Sequence, residues 1–484
     1  MTDQTTLRET PLAVVGAGPG GYAAAFAAAD LGIRTVLVDC DPQPGGVCLN
    51  RGCIPSKALL HVARLITETR EASHWGLSFE PPRIDLEALR AWKNGVIQRN
   101  ATGIRQLARA RGVEIIQAWA RFEDPRTLLL STERGGAPDR GRLRAEHTIL
   151  AVGSRPAGIP ALEIGSPRVI HSTGALELQE VPATLLVVGG GYIGLEMGTV
   201  YAALGSRVTV VEMTDGLLPG ADRDLVRILQ NRLKTAFHQI LLQTRVTGMQ
   251  DTGPAVEVTF EGQAVGEGKA PAVQSFERVL ISVGRTPNSD GLGLENTGVK
   301  VNARGFIEID HRMRTADPHI LAIGDVAGEP MLAHKASKEG KVAAEVLAGH
   351  KTVFDARAIP GVVFTDPEVA WVGLTEARAA QDGIAVEVGR FPWGASGRAA
   401  AMGRNDGLTK IITDPKTRQI LGVGIVGVGA GELIAEGTLA IEMGATAEDV
   451  GLTIHAHPTL SETVAEAAEL AYGTTTHLVR PAKR

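Results

Sequence analysis

Short apolar runs alternate with alanine-rich or amphipathic stretches over the first two thirds of the chain. Residues 12–15 and 35–39 are typical of buried strands, and the alanine-rich stretch between them is typical of a helix. The same strand–helix–strand order returns at 185–188, 195–204 and 207–212. Such units usually build a parallel sheet with helices on its faces. The pattern therefore predicts an α/β fold with two Rossmann-like units.

Other stretches add elements around these two units. Helical periodicity over 58–111, interrupted at Pro81-Pro82, predicts two helices that cover the first unit. Further strands are predicted at 113–116, at 148–156 (where the strand runs into a turn), and at 256–260, 278–283 and 320–326.

Residues from about 359 onward follow a different pattern. Strand-like runs at 385–388, 408–412 and 421–426 precede a helical stretch at 432–443. Strands grouped together and then followed by a helix are typical of an α+β domain. A separate C-terminal α+β domain is therefore predicted.

Each strand–helix–strand unit carries a GxGxxG loop at its first turn. The glycines are Gly16, Gly18 and Gly21 in the first loop and Gly189, Gly191 and Gly194 in the second. In such loops one glycine permits the tight turn, one lets the backbone approach a pyrophosphate, and one allows close helix packing. An acid follows the middle glycine by 21 positions in both units, Asp39 and Glu212, where a carboxylate accepts ribose hydroxyls. Both units are therefore predicted to bind dinucleotides.

Two dinucleotide sites in one chain indicate two cofactors. A flavin that passes electrons to a nicotinamide is the commonest reason for both. No arginine occurs in residues 213–216, and the carboxylate of Glu212 repels a 2′-phosphate. NAD is therefore favoured over NADP.

Two of the three cysteines, Cys48 and Cys53, lie five residues apart in a glycine-rich segment. A chain that otherwise avoids cysteine more often uses such a pair for redox chemistry than for a structural cross-link. A regular helix would separate the two residues by about 7.5 Å along its axis, so it must be distorted for a disulfide to form. Gly52 supplies that freedom. Two merely buried cysteines are the weaker alternative, and a zinc site lacks its second ligand pair.

A second concentration of reactive side chains lies at 455–462. His457 and Glu462 have the composition of a general base and the acid that orients it. A solvated loop histidine is the alternative, and His455 is interpreted as structural. Asp325, in the last predicted strand of the α/β part, either binds a sugar hydroxyl or caps a helix.

Composition excludes several classes of function. The net charge is −5 over 484 residues, and Lys and Arg are spread without a basic run, so no nucleic-acid surface is expected. No apolar run reaches the ~20 residues that span a bilayer, and residues 1–6 lack a basic-then-apolar leader. We therefore expect a cytoplasmic protein that does not enter a membrane.

Together these motifs resemble those of the flavin disulfide oxidoreductases, the pyridine nucleotide-disulfide family, over essentially the whole chain. The matching segments are GGVCLNRGCIPSKALL at 45–60, both glycine loops, AVGSRP at 151–156, SVGRTPN at 282–288, AIGDVAGEPMLAHKA at 322–336 and HAHPTLSE at 455–462. The resemblance implies two dinucleotide-binding domains with FAD and NAD as cofactors, no metal, and a C-terminal domain that forms a homodimer.

The resemblance also implies roles for single residues. Cys48 would be the thiol that meets the substrate, and Cys53 the thiol beside the flavin. His457, held by Glu462, would be the base and would serve the active site of the other subunit. Lys57 would lie near the flavin and pair with Glu196, and Asp325 would hold the FAD ribitol. Further implied cofactor contacts are Gly46, Ala120, Ser154, Val246, Gly284 and Ala333.

The implied domain order follows the family. A first part of the FAD-binding domain at 1–157 precedes a NAD-binding domain at 158–286. Residues 287–356 would complete the FAD site, and 357–484 would form the interface domain.

Within the family, the chain is similar to the members that reoxidise dihydrolipoyl groups in 2-oxo acid dehydrogenase complexes and the glycine cleavage system. The chain begins at the first glycine fingerprint, with no lipoyl domain before it. We therefore expect a partner to carry the lipoyl group, either a lipoyl-bearing acyltransferase or the glycine cleavage carrier protein.

Two positions depart from the family pattern. Arg51 stands between the cysteines, where an apolar residue is commoner, and either lowers the thiol pKa values by its charge or points to solvent. Ala120 stands where glycine is usual, which is tolerable if only its backbone contacts the cofactor.

Three rival functions are disfavoured. Mercuric ion reductase shares the cysteine spacing but is expected to carry C-terminal cysteines and to lack the histidines at 455–462. Glutathione reductase would need basic residues in place of Glu212. A non-catalytic FAD-binding scaffold would not require Cys48, Cys53, His457 and Glu462 together.

Overall fold

A computed structural model describes residues 7–473 and 475–478. These residues form two compact units. The first runs up to residue 58 and also contains 85–157 and 284–355. The second contains 59–84, 158–283 and the residues from 356 onward.

The first part of the chain builds a sheet whose core strands are parallel. Its strands in this part are β1 (Leu7–Val15), β2 (Thr35–Asp39), β3 (Glu114–Gln117), β4 (Trp119–Asp124), β5 (Thr127–Ser131) and β6 (Gly141–Leu150), and a short strand outside this sheet, β7 (Ser154–Pro156), follows. Strands β3, β2, β1 and β6 lie side by side and parallel, while β5 and β4 continue the sheet in antiparallel fashion. All five residues of β2 are buried, as expected of a strand covered on both faces. The strands predicted at 12–15 and 35–39 are confirmed, whereas the β4–β5 hairpin was not predicted.

Four helices accompany these strands, namely α1 (Pro19–Asp30), α2 (Gly46–Arg51), α3 (Cys53–Glu71) and α4 (Leu86–Ala110). Helices α3 and α4 confirm the two helices predicted over 58–111. The Asp85 side chain accepts a hydrogen bond from the Ala88 N–H and so caps the start of α4.

The middle of the chain contains a second parallel sheet. The elements of this part of the chain are β8 (Val169–Ile170), α5 (Ser172–Glu177), β9 (Thr184–Val188), α6 (Tyr192–Leu204), β10 (Arg207–Val211), α7 (Arg223–Ala236), β11 (Gln239–Leu241), β12 (Thr244–Asp251), β13 (Val256–Gly262), β14 (Val273–Phe276) and β15 (Arg278–Ile281). The parallel order is β11-β10-β9-β15-β8, and β12, β13 and β14 form a separate antiparallel sheet. The predicted second strand–helix–strand unit is confirmed.

The chain then returns to the first unit with β16 (Arg285–Pro287), β17 (Ile320–Ala322) and α8 (Ala333–Leu347). Strand β17 is parallel to β6, and β16 is antiparallel to β7. The predicted strand at 320–326 is shorter than expected, because a 3-10 turn replaces it from Gly324 to Val326. Helices α1 and α8 pack closely, since a Cβ on Gly340 would lie 2.5 Å from the Gly20 carbonyl oxygen.

The C-terminal part is a five-stranded antiparallel sheet with helices. Its strands are β18 (Gly361–Val363), β19 (Glu368–Gly373), β20 (Glu387–Pro392), β21 (Leu408–Thr413) and β22 (Ile420–Gly427). Its helices are α9 (Glu376–Asp382), α10 (Gly397–Ala401), α11 (Ala430–Met443), α12 (Ala447–Leu452) and α13 (Glu462–Tyr472). The order β18-β19-β22-β21-β20 confirms the predicted α+β character, and its core includes the fully buried Trp393.

Helices suited to crossing a bilayer are absent from residues 7–473 and 475–478, where every helix is too short or too polar.

Candidate active site

The first glycine loop joins β1 to α1 in a conformation that requires glycine. Gly16 has φ +102°, and its N–H donates to the Val38 carbonyl at 2.7 Å. A Cβ on Gly21 would lie 1.7 Å from the Gly16 carbonyl oxygen, so the start of α1 can approach the turn only without a side chain. Gly18 is the N-cap residue of α1.

The second loop, between β9 and α6, repeats this geometry. Gly189 has φ +106°, and its N–H donates to the Val211 carbonyl at 2.9 Å. A Cβ on Gly194 would lie 2.5 Å from the Gly189 carbonyl oxygen, and Gly191 is the N-cap residue of α6. Both helices therefore direct their N-terminal N–H groups and the positive end of the helix dipole towards the loop, as a pyrophosphate site requires.

The two acids also occupy equivalent places. Asp39 Oδ2 accepts from the Ala17 N–H, and Asp39 Oδ1 accepts from the Asp41 N–H at 2.7 Å. Burial raises the pKa of Asp39 above its ordinary value, although these two N–H donors act in the opposite direction. The acid thus fixes its own glycine loop, and its oxygens keep further lone pairs for ribose hydroxyls.

Glu212 repeats this arrangement in the second unit. Its Oε2 accepts from the Gly190 N–H at 2.7 Å, and its Oε1 accepts from the Thr214 N–H at 2.7 Å and hydroxyl at 2.8 Å. The sequence predicted the position of both acids but not that each would hold its glycine loop in place.

The cysteines lie on either side of a helix break. Helix α2 ends at Gly52, which has φ −146° and ψ −113°, and α3 begins at Cys53. A Cβ on Gly52 would lie 2.8 Å from the Val47 carbonyl oxygen, so glycine is required for the tight spacing. The predicted distortion of the helix between Cys48 and Cys53 is therefore confirmed.

Both cysteines are thiols in this structure, and they form one hydrogen-bonded pair. The hydrogen bond with Cys53 and burial raise the pKa of Cys48 well above its ordinary value, while Lys57 acts in the opposite direction. Burial and the charges of both cysteines raise the pKa of Tyr22 on α1, a neighbour that the sequence did not reveal.

Arg51, the last residue of α2, has a defined partner. Its Nη2 lies 2.7 Å from Asp41 Oδ2, next to the acid of the first glycine loop. Neither prediction for Arg51 anticipated this ion pair. The start of α2 also lies against the first loop, since a Cβ on Gly46 would be 2.7 Å from the Gly18 Cα.

Three distant motifs meet around Ser154. The Ser154 hydroxyl donates to Asp325 Oδ2 at 2.5 Å, and Arg285 Nε donates to the Ser154 hydroxyl at 2.7 Å. Arg285 Nη2 also donates to the Ser154 carbonyl at 2.6 Å. The sequence predicted Ser154 and Asp325 as site residues but missed Arg285. The signal was available, because AVGSRP and SVGRTPN share the pattern VGxxP.

A buried ion pair holds the loop that carries Asp325. Lys335 Nζ lies 3.0 Å from Glu339 Oε1 and donates to the Gly328 carbonyl at 3.0 Å. Glu339 Oε2 accepts from the Gly324 N–H at 2.7 Å. Both side chains are almost fully buried, at 6% and 4% exposure. This clamp, formed by Lys335 and Glu339, was not predicted.

His457 and Glu462 form the predicted pair. His457 Nδ1 lies 2.8 Å from Glu462 Oε1, and Glu462 Oε2 accepts from the Thr459 N–H at 2.7 Å. Partial burial raises the pKa of Glu462, but the hydrogen bonds from the Thr459 N–H and from His457 outweigh this effect. The pKa of Glu462 therefore lies below its ordinary value. The His457 side chain is 75% exposed, so its free nitrogen, Nε2, is open to a reactant from outside the chain.

His455 is oriented by its own partners. Its Nε2 lies 2.7 Å from Glu436 Oε1 on α11, and its Nδ1 lies 2.8 Å from the Thr453 carbonyl. The structural interpretation of His455 agrees with these contacts. Large apolar side chains around this segment are strongly exposed, namely Leu439 and Met443 on α11, Leu452, and Ile454.

The remaining predicted residues are placed without a contact that tests their role. Glu196 on α6 is buried and accepts from the Phe364 N–H at 3.0 Å, and its pairing with Lys57 stays a prediction. The others are Ala120 in β4, Val246 beside a bulge in β12, Gly284 with φ +127° and Ala333 at the start of α8.

Two acidic groups with the spacing of cation ligands already hold a basic side chain. Asp222, Asp224 and Glu376 surround the buried Lys410, whose Nζ lies 2.6 to 2.8 Å from all three. In the group of Asp39, Cys40 and Asp41, the ion pair from Asp41 to Arg51 supplies the positive charge. Neither group is a candidate metal site.

Comparison with known proteins agrees with this architecture. Residues 10–340 match the family model "Pyridine nucleotide-disulphide oxidoreductase", and residues 359–468 match the dimerisation domain of the same family. Proteins named dihydrolipoyl dehydrogenase from Haemophilus influenzae and Vibrio cholerae are each 48% identical to this chain. The alignment with the Haemophilus protein covers 97% of this chain and 96% of that protein. The alignment with the Vibrio protein covers 96% of each. The crystal structure of LpdA from Mycobacterium tuberculosis is similar with a TM-score of 0.85 at 27% identity, covering 96% of this chain and 99% of that one.

Proposed function

We propose that this chain, which belongs to the pyridine nucleotide-disulphide oxidoreductase family, oxidises dihydrolipoyl groups to lipoyl groups with NAD as the electron acceptor. The chain is a flavin disulfide oxidoreductase that uses FAD and NAD. The placement of Cys48 and Cys53 on the two sides of the helix break at Gly52 is the observation that carries the proposal, because a dithiol substrate needs a dithiol–disulfide couple to receive its electrons.

The residues present fit both cofactors. Each loop has glycines at positions where a Cβ would collide with neighbouring backbone atoms, so the loop stays tight and open to a pyrophosphate. Each loop also holds a carboxylate at the position that we assign to the ribose. Beside the first loop, the side-chain oxygens of Gln43 and Asn50 are buried acceptors that receive no hydrogen bond from the part of the chain that the structure describes. Such orphaned acceptors suit a ligand rich in hydroxyl groups. Bound at the first loop, FAD would supply an acceptor for the two electrons of the reduced cysteines, and NAD at the second loop would be their final acceptor.

The second site supports NAD over NADP. Glu212 places a negative charge at the ribose position. The first basic residue after it is Arg223, whose guanidinium donates to the carbonyls of Leu217 at 2.8 Å and Leu218 at 2.7 Å. Its hydrogen-bonding capacity is thus used within the fold rather than offered to a 2′-phosphate.

The thiol chemistry that we assign to this chain consists of two successive disulfide exchanges. In the oxidised protein Cys48 and Cys53 form a disulfide, and a substrate thiolate attacks the Cys48 sulfur. A substrate–Cys48 disulfide forms while Cys53 leaves as a thiolate. The second substrate thiol then closes the cyclic lipoyl disulfide and releases Cys48. The substrate loses two electrons and the cysteine pair gains them.

His457 of the partner subunit is the base that we assign to the thiol steps. It accepts the proton from the attacking substrate thiol, so that the thiolate, rather than the thiol, meets Cys48. Glu462, held by the Thr459 N–H, fixes the imidazole so that Nε2 faces outward. The strong exposure of His457 within a single chain supports a role towards another subunit.

The dimerisation domain supports a homodimer. We assign its interface to the apolar side chains around the His457 segment. Leu439, Met443, Leu452 and Ile454 are 62%, 76%, 73% and 97% exposed in the single chain. Exposed apolar side chains of this size mark an interaction surface. The lipoyl group then comes from a further partner, a lipoyl-bearing acyltransferase or the glycine cleavage carrier protein.

The proposal is tested by steady-state oxidation of dihydrolipoamide with NAD. Cys48→Ser should abolish turnover while FAD stays bound, because the serine hydroxyl cannot form the disulfide. Cys40→Ser removes the third cysteine and serves as the matched control, with turnover close to wild type. Unchanged turnover in Cys48→Ser would exclude the disulfide mechanism.

A further inference from the structure

Arg51 joins the helix that carries Cys48 to the loop that follows β2. Its guanidinium Nη2 lies 2.7 Å from Asp41 Oδ2, and the side chains are 37% and 20% exposed. The neighbouring Asn50 makes a second link, since its Nδ2 donates to the Gln43 carbonyl at 3.1 Å. Adjacent residues at the end of α2 thus hold the loop of residues 40–45 from one side.

The loop held in this way begins at Asp39, the acid of the first glycine loop. Asp41 is tied to Asp39 through the 2.7 Å hydrogen bond from its N–H. The two carboxylates are two residues apart and repel each other, and Arg51 is the cation that offsets this repulsion. Displacement of Asp41 would therefore move a group that orients Asp39.

The charge of Arg51 acts on Asp39 and on the neighbouring thiol of Cys40, which has no part in the proposed redox pair. The hydrogen bond with Cys53 and burial govern the pKa of Cys48, and the cation that opposes them is Lys57. Arg51 is instead neutralised by a direct ion pair with Asp41. The contact that Arg51 makes is therefore with the loop after β2, although it lies between Cys48 and Cys53 in sequence.

We infer that Arg51 is a positioning residue for FAD: through Asp41 it holds the redox helix α2 and the ribose-binding end of β2 in one arrangement. The inference rests on the proposed function, since it takes the dinucleotide at Asp39 to be FAD. Loss of either Arg51 or Asp41 breaks the same ion pair, so the effects of the two substitutions on FAD affinity should not be additive.

The test compares wild-type holoenzyme with Arg51→Leu, Asp41→Asn and the double variant. Arg8→Leu is the matched control, because Arg8 makes an exposed ion pair of similar length, 2.6 Å to Glu114, in the same unit. The FAD dissociation constant is measured from flavin released on serial dilution. The pH profile of Cys48 alkylation by iodoacetamide is measured on the NADH-reduced proteins by mass spectrometry.

Arg51→Leu and Asp41→Asn should each raise the FAD dissociation constant roughly 3- to 10-fold, as expected for a partly buried ion pair. The double variant should be no weaker than the worse single variant. The alkylation profile should match wild type in all proteins, and Arg8→Leu should bind FAD normally.

Two results overturn the inference alone: unchanged FAD affinity in Arg51→Leu, or additive losses in the double variant. A shifted alkylation profile in Arg51→Leu with normal FAD affinity would make Arg51 a regulator of the thiols instead. A wild-type protein that binds no FAD would overturn the proposed function as well, so the two failures are distinguishable.

Discussion

Lys335→Met tests the buried clamp behind Asp325, and we expect it to destabilise the first unit strongly. Lys335 and Glu339 are 3.0 Å apart and only 6% and 4% exposed. Removing one partner of such a pair costs about 3–5 kcal/mol in the free energy of unfolding, because the other charge stays buried and uncompensated. That charge is on Glu339, which also holds the Gly324 N–H at 2.7 Å. The loop that carries Asp325 should therefore loosen, and FAD affinity should fall with stability.

The loss should depend on pH. Burial already raises the pKa of Glu339 above its ordinary value, and Lys335 is the cation that opposes this shift. In Lys335→Met the folded-state pKa rises further, while the unfolded value stays at about 4.3. The loss of unfolding free energy in Lys335→Met is therefore smallest below the unfolded-state pKa of about 4.3. It grows as the pH rises through the raised folded-state pKa of Glu339.

The assay is a urea titration of the holoenzyme, followed by flavin release, at about pH 5.5 and about pH 8 and at one fixed protein concentration. Glu339→Gln lacks the titrating carboxylate, so its loss of stability should not grow between the two pH values. Lys300→Met removes an exposed lysine of the same unit and is the control. The reasoning is refuted if Lys335→Met is as stable as the control, or if its loss is equal at both pH values.

Three further predictions concern other parts of the chain. His457→Gln should slow dihydrolipoamide oxidation by roughly two to four orders of magnitude, and a near-normal rate would assign the base elsewhere. Glu212→Gln should narrow the preference for NAD over NADP, measured as the ratio of kcat/KM values; an unchanged ratio would remove Glu212 from nucleotide selection. Lys410→Met leaves three carboxylates around a buried site and should cost about 3–5 kcal/mol in urea titrations, whereas wild-type stability would show that the ion network is neutral.

Sequence reasoning succeeded where a feature depends on short-range spacing. Each glycine loop lies within six residues, and steric limits alone require glycine at Gly16 and Gly21, so the spacing predicted the local geometry. The helix break at Gly52 followed in the same way, because a regular helix cannot bring the cysteines together. Whether the predicted residues act in their assigned roles stays a prediction.

Features that join distant segments were not predictable from spacing. Arg285 belongs to the site only because β16 pairs with β7 and brings it to Ser154. Lys335 and Glu339 have the i,i+4 spacing of an ordinary surface ion pair, and burial between elements is what makes them a clamp. Strand β19, an interior strand of the C-terminal sheet, was also missed, since its partner β22 lies far along the chain.

Rapid mixing of the oxidised holoenzyme with dihydrolipoamide, in the absence of NAD, tests the electron path most directly. If Cys48 and Cys53 receive the substrate's electrons, the long-wavelength absorbance of a thiolate next to flavin should appear even though no NADH can form. The same absorbance should be missing in Cys48→Ser. Bleaching of the flavin without that absorbance, or no spectral change at all, would contradict a cysteine pair as the first electron acceptor.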